Sequence, residues 1–199
     1  MLPAGDAQLV QILDAALADT ARRSGDWLAC KPGCTQCCVG VFAIHQLDAA
    51  RLQQGLKELI GSEPERAQSI RERARKSVER LATGFPGDPI TGLLDPSEEA
   101  EARFEDFAND EPCPALDPAT GLCDLYLARP MTCRVFGPPV RSEQGLGVCE
   151  LCYHGATEEQ IEACEMPVDP QGLEGELLQE FEQSSGRHGL TLVAFALAQ

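Results

Sequence analysis

The stretch "CKPGCTQCC", residues 30–38, sets four cysteines in nine residues and ends on an adjacent pair. Thiols at this density have three chemical uses: disulfide bonds, a metal site, or a reactive nucleophile. Pro32 and Gly33 interrupt the stretch, so its backbone curls and can aim several sulfurs at one point, as a chelating loop requires. Six further cysteines follow at positions 113, 123, 133, 149, 152 and 164. Cys149 and Cys152 form a C-x-x-C pair, the two-ligand knuckle of many zinc and iron-sulfur sites.

The compartment helps to choose among the three uses. The amino terminus, "MLPAGDAQLVQILDAALADTARR", has no basic start followed by an apolar run, so it does not read as a secretory signal. The longest apolar stretch, "LTLVAFALA" at 190–198, is less than half of the roughly 20 residues that span a bilayer. The expectation is a cytoplasmic protein with no membrane contact. Thiols stay reduced there, and cysteine clusters serve metals or catalysis more often than disulfides. Acidic residues number 32 against 16 basic ones, for a formal charge of -16. A field of that sign repels nucleic acid, so no nucleic-acid role is expected.

Outward from the cluster the chain reads as mainly α. Its 199 residues fit a single domain, 1–199, with a chelating region at about 30–152, an N-terminal helix at 6–22 and a C-terminal extension at 166–199. Aromatics make up only 5%, so the core draws on Leu, Ala, Val and Ile, which suits packed helices. Leu9, Ile12, Leu13, Ala16 and Leu17 share one helical face, with Asp6 placed to cap the first turn. "HQLDAARLQQGLKELIG" (45–61) is a second helix, with His45 and Asp48 at capping-box spacing and Gly61 as its stop. A third opens at Pro64 and buries Ala67, Ile70, Ala74, Val78 and Leu81. A fourth starts at Asp95, Pro96 and Glu98 and buries Ala100, Phe104, Phe107 and Ala108.

The third and fourth helices carry opposite charge and are expected side by side. Arg71, Arg73, Arg75 and Lys76 alternatively meet an anionic partner, although a solvated face is the usual meaning of such a run. In 112–141 the turn "DPATG" joins two short strands, and one helical turn opens at Pro130. Thr157 and Gln160 form the capping box of a short helix that places Cys164 in the core. "LEGELLQEFEQSSG" (173–186) is another helix, and 190–198 reads equally as strand or helix. The fold class is mainly α with a small β-hairpin, its irregular, metal-stapled cysteine-rich loops packed on helices.

On extended backbone successive side chains point to opposite sides. Cys37 and Cys38 are therefore expected to serve different sites, the alternative being that Cys38 is a small buried hydrophobe beside a ligand. His154 is either an extra ligand or a surface imidazole. Lys31, Arg129 and Arg134 stand near the cysteines in sequence and can offset thiolate charge. Arg129 alternatively forms a salt bridge that fixes the turn at Pro130.

"CKPGCTQCC", then "CPALDPATGLCDLYLARPMTCRVFG" at 113–137, then Cys149 resemble the YkgJ-like cysteine-cluster family, a zinc- or iron-chelating domain. Its hallmark is C-x-x-C-x-x-C-C followed by C-P-x-L-D, G-x-C-x-I-Y and R-P-x-x-C-R. The resemblance implies a metal ion as partner, held as zinc or as an iron-sulfur cluster by Cys30, Cys34, Cys37, Cys38, Cys113, Cys123, Cys133 and Cys149. Cys152 and Cys164 fall outside that set. The first gap here has three intervening residues where the family has two.

That gap creates C-x3-C-x2-C, which is also the motif of radical S-adenosylmethionine enzymes. Those enzymes place it after the first strand of an α/β barrel, and no alternating strand and helix pattern follows here. Flagellin lysine-N-methylase resembles the family in its cysteine cluster, so the alternative function is an iron-sulfur oxidoreductase or a cluster-dependent protein-modifying enzyme. Eight thiols make two four-cysteine sites or one four-iron cluster with four to spare, and sulfur ligands suit both metals. A third use, redox cycling of Cys149 and Cys152, lacks the βαβ surroundings of a thioredoxin motif.

Overall fold

The computed structural model describes residues 1–142 and 145–199. Its helices are α1 (Asp6–Ser24), α2 (Gln46–Ser62), α3 (Pro64–Leu81), α4 (Glu98–Glu105), α5 (Met131–Val135), α6 (Glu158–Glu162), α7 (Leu173–Ser185) and α8 (Val193–Ala198). The strands are β1 (Ala43–His45), β2 (Gly87–Asp88), β3 (Leu93–Leu94), β4 (Val140–Ser142), β5 (Gly145–Gly147) and β6 (Leu190–Leu192). They pair antiparallel as β1 with β6, β2 with β3 and β4 with β5. The expected class, mainly α with a small β component and irregular cysteine-rich loops, is what the chain adopts. Among the described residues no helix is long and apolar enough to cross a membrane.

The apolar stripes pack as their spacing implies. Leu52 and Leu56 of α2, Ala67, Ile70 and Ala74 of α3, and Leu197 of α8 share one core. Leu9 and Leu13 of α1 meet Phe181 of α7, together with Leu47, Met131 and Met166. The ambiguous run at 190–198 is both things in succession. Leu190–Leu192 pair with β1 in the register Ala43↔Leu192, and Val193–Ala198 then turn into a helix. Val193 to Leu197 are all buried, the pattern of a helix apolar on every side because it is enclosed.

Several expectations about helix ends need correction. Asp6 lies inside α1, whose N-cap is Gly5, and its carboxylate accepts from Arg51 Nε at 2.6 Å. His45 occupies the N-cap of α2 without a side-chain cap bond. Asp48 forms no capping box; it accepts from Arg51 Nη1 at 2.6 Å and from the Met131 amide at 3.0 Å. A carboxylate in a first helical turn has two uses, and here the buried arginine outcompetes the local amides. Gly61 does not stop α2, which continues to Ser62 and gives way to Pro64 as the first residue of α3. Ser97, not Asp95, caps α4 by accepting from the Ala100 amide, and the helix ends at Glu105. Phe104, Phe107 and Ala108 pack around Phe85 all the same.

The third and fourth helices are not the pair that charge suggested. α3 packs mainly on α2 and α8, and its Arg66, Arg73 and Arg80 reach Asp124 and Glu111 on the loop that follows α4. The "DPATG" turn forms, with Asp117 accepting from the Ala119 amide and the Thr120 hydroxyl. It joins a single bridge, Leu116↔Cys123, in place of two strands. The same D-P-x-T-G turn occurs at Asp88–Gly92, where Asp88 accepts from the Ile90 amide and the Thr91 hydroxyl and links β2 to β3.

Gly55 sits where α2 crosses the 3-10 turn Tyr126–Ala128. A Cβ there would lie 2.4 Å from the Ala128 Cβ. Helix propensity alone favours Gly55→Ala by about 1 kcal/mol, whereas overpacking costs about 1 to 3 kcal/mol. The variant is expected to unfold at lower urea concentration than the wild type; equal or higher stability would contradict the close approach.

Candidate metal centre

The cysteine loop is built from two tight turns. The Cys34 amide donates to the Lys31 carbonyl at 2.9 Å across Pro32 and Gly33, whose φ is +90°. Gln36–Cys38 then form one 3-10 turn, closed by the Cys38 amide on the Thr35 carbonyl at 2.8 Å. Cys37 and Cys38 are therefore on a turn and not on extended backbone, so the alternation expected of an extended segment does not apply to them.

Three contacts draw the distant cysteines to this loop. The Cys113 amide donates to the Cys38 carbonyl at 2.8 Å. The turn before Cys123 packs on the loop, since a Cβ at Gly121 would lie 3.6 Å from Thr35 Cγ2 and 3.8 Å from the Gly33 Cα. Gly137 closes on Cys30, where a Cβ would meet the sulfur at 3.5 Å, and its carbonyl accepts from the Cys149 amide at 3.4 Å.

Helices hold the remaining links through charge. Arg51 is 4% exposed and lies between Asp6 and Asp48. Asp48 in turn holds the Met131 amide at the start of α5, the helix that carries Cys133. Arg134, 1% exposed, forks onto Asp14 of α1 at 2.7 and 2.9 Å and donates to the Leu127 carbonyl. Arg129 also reaches Asp14, at 3.3 Å, and stacks over the Tyr126 ring. Both arginines thus serve the salt-bridge role. From α3, Arg66 and Arg73 converge on the buried carboxylate of Asp124, beside Cys123, and Arg73 also donates to the Pro114 carbonyl, beside Cys113.

All ten cysteines are free thiols, and their electrostatics record crowding. The hydrogen bond from Cys38 holds Cys37 down to about 6, helped by the Arg129 charge, while the same bond pushes Cys38 up. Burial pushes Cys113 up to about 11, with Cys123 and Cys37 adding to it. Burial likewise raises Cys133, next to Cys113, Cys37 and Cys123, and it raises Cys123. Cys30 is raised by burial and then by Cys34, Cys37, Cys152 and Cys149. Cys149 is raised by burial and by Cys152 and Cys34.

Thiols that raise one another cannot all ionise alone, and a bound cation relieves that conflict by favouring the thiolate. The donor set therefore fits a thiophilic metal. Among the described residues no three His, Cys, Asp or Glu side chains already converge as a formed metal site. His154 is exposed and Cys164, 3% exposed, is core as expected. The framing residues Asp14, Asp48, Arg51, Arg66 and Asp124 were not visible as such in the sequence. Arg129 and Arg134 stood out by their place beside the cysteines, and Arg73, part of the basic run, is an internal clamp.

Thiols gathered on irregular loops and framed by helices are the features of a cysteine-cluster domain. The chain belongs to the family described as "CxxCxxCC: Putative zinc- or iron-chelating domain", whose model matches residues 29–153. No curated protein and no solved structure matches the chain.

Removing one partner of a buried ion pair costs about 3 to 5 kcal/mol. Asp48→Ala, which strips Arg51 of one carboxylate and Met131 of its acceptor, is expected to lower the unfolding free energy by about that amount. A loss below about 1 kcal/mol, the range of exposed pairs, would show that this network does not frame the centre.

Proposed function

We propose that the protein binds zinc or an iron-sulfur cluster through Cys30, Cys34, Cys37, Cys38, Cys113, Cys123, Cys133 and Cys149. The observation that supports this reading is the meeting of the cysteine-bearing loops, where the Cys113 amide bonds the Cys38 carbonyl and Gly137 lies against Cys30 while its carbonyl takes the Cys149 amide, in a chain of the chelating family. The metal supplies a multivalent positive charge; the residues supply soft anionic donors and a frame that brings loops 30–38 and 112–152 together. A structural zinc site is worth about 10 to 16 kcal/mol in small peptides, against about 5 to 15 kcal/mol for the net stability of a domain. Bound metal would thus add to the order of these Pro- and Gly-rich loops, on top of the ion pairs that frame them.

A second reading, a cluster-dependent enzyme, has one observation in its favour. A cavity of about 210 Å³ opens beside Cys37 and Cys133, walled by Val41, Phe42 and Phe136 with Gln36, Asn109 and Thr132. A cavity at a metal centre is a place for a small molecule to reach it.

Anaerobic purification followed by elemental analysis and an absorption spectrum tests both readings. Chelation predicts bound zinc or iron, and a fall in melting temperature when a chelator removes it. Metal-free protein that folds normally and takes up neither metal under reducing conditions would contradict it. The enzyme reading predicts a brown protein whose band bleaches on reduction, and colourless protein after reconstitution with iron and sulfide would rule it out.

A further inference from the structure

Each arginine that frames the cysteine loops meets a carboxylate. Arg51 takes Asp6 and Asp48, Arg66 and Arg73 take Asp124, and Arg129 and Arg134 take Asp14. Arg187, half-buried, meets none among the described residues. Its Nε and Nη2 donate to Gln46 Oε1 at 3.2 and 3.0 Å, and its Nη1 donates to Gln53 Oε1 at 3.1 Å. Glutamine oxygens fix the direction of a guanidinium and leave its charge in place. Taking a charge partly out of water without a counter-ion is costly, and this chain has twice as many acidic as basic residues from which to supply one.

Local structure holds that guanidinium still. α7 ends against Gly186, whose φ is +69°, and the Arg187 amide donates to the Ser185 hydroxyl at 3.1 Å. β6 then pairs with β1, the strand that leads into Gln46 at the start of α2. Gln53 is tied down in turn, since its Nε2 donates to the Ala196 carbonyl at 3.1 Å and to Gln199 Oε1 at 3.0 Å. The Phe181 ring lies 5.9 Å from the guanidinium carbon.

A cavity of about 250 Å³ opens beside this group, lined by Arg187 and His188, by Gln46 and Ala49 of the first turn of α2, and by Thr91 and Thr191. A guanidinium has five N–H groups; those on Nε, Nη1 and Nη2 that meet glutamine leave one more on each Nη nitrogen. Gln46 gives its oxygen to Arg187, and its Nε2 makes no hydrogen bond among the described residues. His188 Nδ1 donates to the Gly186 carbonyl at 3.2 Å, which holds the imidazole at the cavity. The carboxylates of the neighbouring segments are already engaged. Asp88 accepts from the Ile90 amide and the Thr91 hydroxyl, and Asp48 accepts from Arg51 and the Met131 amide. The amides in the first turn of α2 add partial positive charge to the same side.

We propose that Arg187, with Gln46 and His188, forms a binding site for a small oxyanion, the phosphate or carboxylate group of a small molecule. The oxyanion takes the remaining N–H groups of Arg187 in charge-assisted hydrogen bonds and supplies the neutralisation that the glutamines do not. Among the described residues no cysteine lines this cavity, and the site stands independently of the chelation reading.

Backbone amide NMR shifts of the full-length protein, titrated with inorganic phosphate and separately with acetate, test the proposal against sodium chloride at matched ionic strength. Saturable shifts are expected at residues 186–189 with at least one of the two oxyanions, and the one that binds tells a phosphoryl ligand from a carboxylate one. Arg187→Gln is expected to weaken that binding at least about tenfold. Gln46→Glu sets a carboxylate against Arg187 while keeping the arginine, and is expected to remove the binding whether or not the first variant folds. Arg75→Gln, the same charge change on an exposed position of α3, is expected to bind as the wild type does. The site would be overturned by the absence of saturable shifts with both oxyanions, by an equal response to chloride, by unchanged affinity in Arg187→Gln or Gln46→Glu, or by an equal loss in Arg75→Gln.

Discussion

Thiols brought close together resist ionising together, and the rest of this structure is arranged around that constraint. Cys37 is held low and its neighbour Cys38 is pushed high. Cys113, Cys123 and Cys133 are each pushed up by burial and by their neighbours. Thiols so raised stay neutral near neutral pH, and a soft cation that displaces their protons would turn them into thiolate ligands. The loops that carry them have few backbone ladders of their own, so something outside the loops must hold the thiols in place.

That holding is done by ion pairs between long helices and loop residues adjacent to the cysteines. Asp48 and Arg51 of α2 anchor the start of α5, Asp14 of α1 takes Arg129 and Arg134, and Arg66 and Arg73 of α3 grip Asp124. Each contact fixes a position one to four residues from a thiol, close enough to place it. The apolar cores of α1 with α7, and of α2 with α3 and α8, keep those helices in register. Packing therefore positions charge, and charge positions sulfur.

Much of the helical frame was legible because a stripe of Leu, Ile and Ala at helical spacing has few other meanings. Pro64 at the head of α3 and the Thr157–Gln160 capping box behave as local rules require. The misreadings of Asp6, Asp48 and the α3 face share one cause, which is that local spacing does not reveal a distant partner. Asp6 and Asp48 sit where caps belong, but Arg51 claims them. The basic face of α3 complemented the acidic α4 in charge, yet its arginines serve a loop. The order of the cysteines was legible, whereas the direction of Cys37 and Cys38 was not. It depends on a 3-10 turn held by Cys113 and by Gly40, whose amide donates to Glu111.

X-ray absorption at the metal edge of the loaded protein tests the central claim most directly, because it counts the atoms bound to the metal without reference to any variant. The account predicts a first shell made of sulfur, four per metal at about 2.3 Å for zinc, with cobalt substitution preserving the tetrahedral geometry. A shell of nitrogen or oxygen at about 2.0 to 2.2 Å would contradict it.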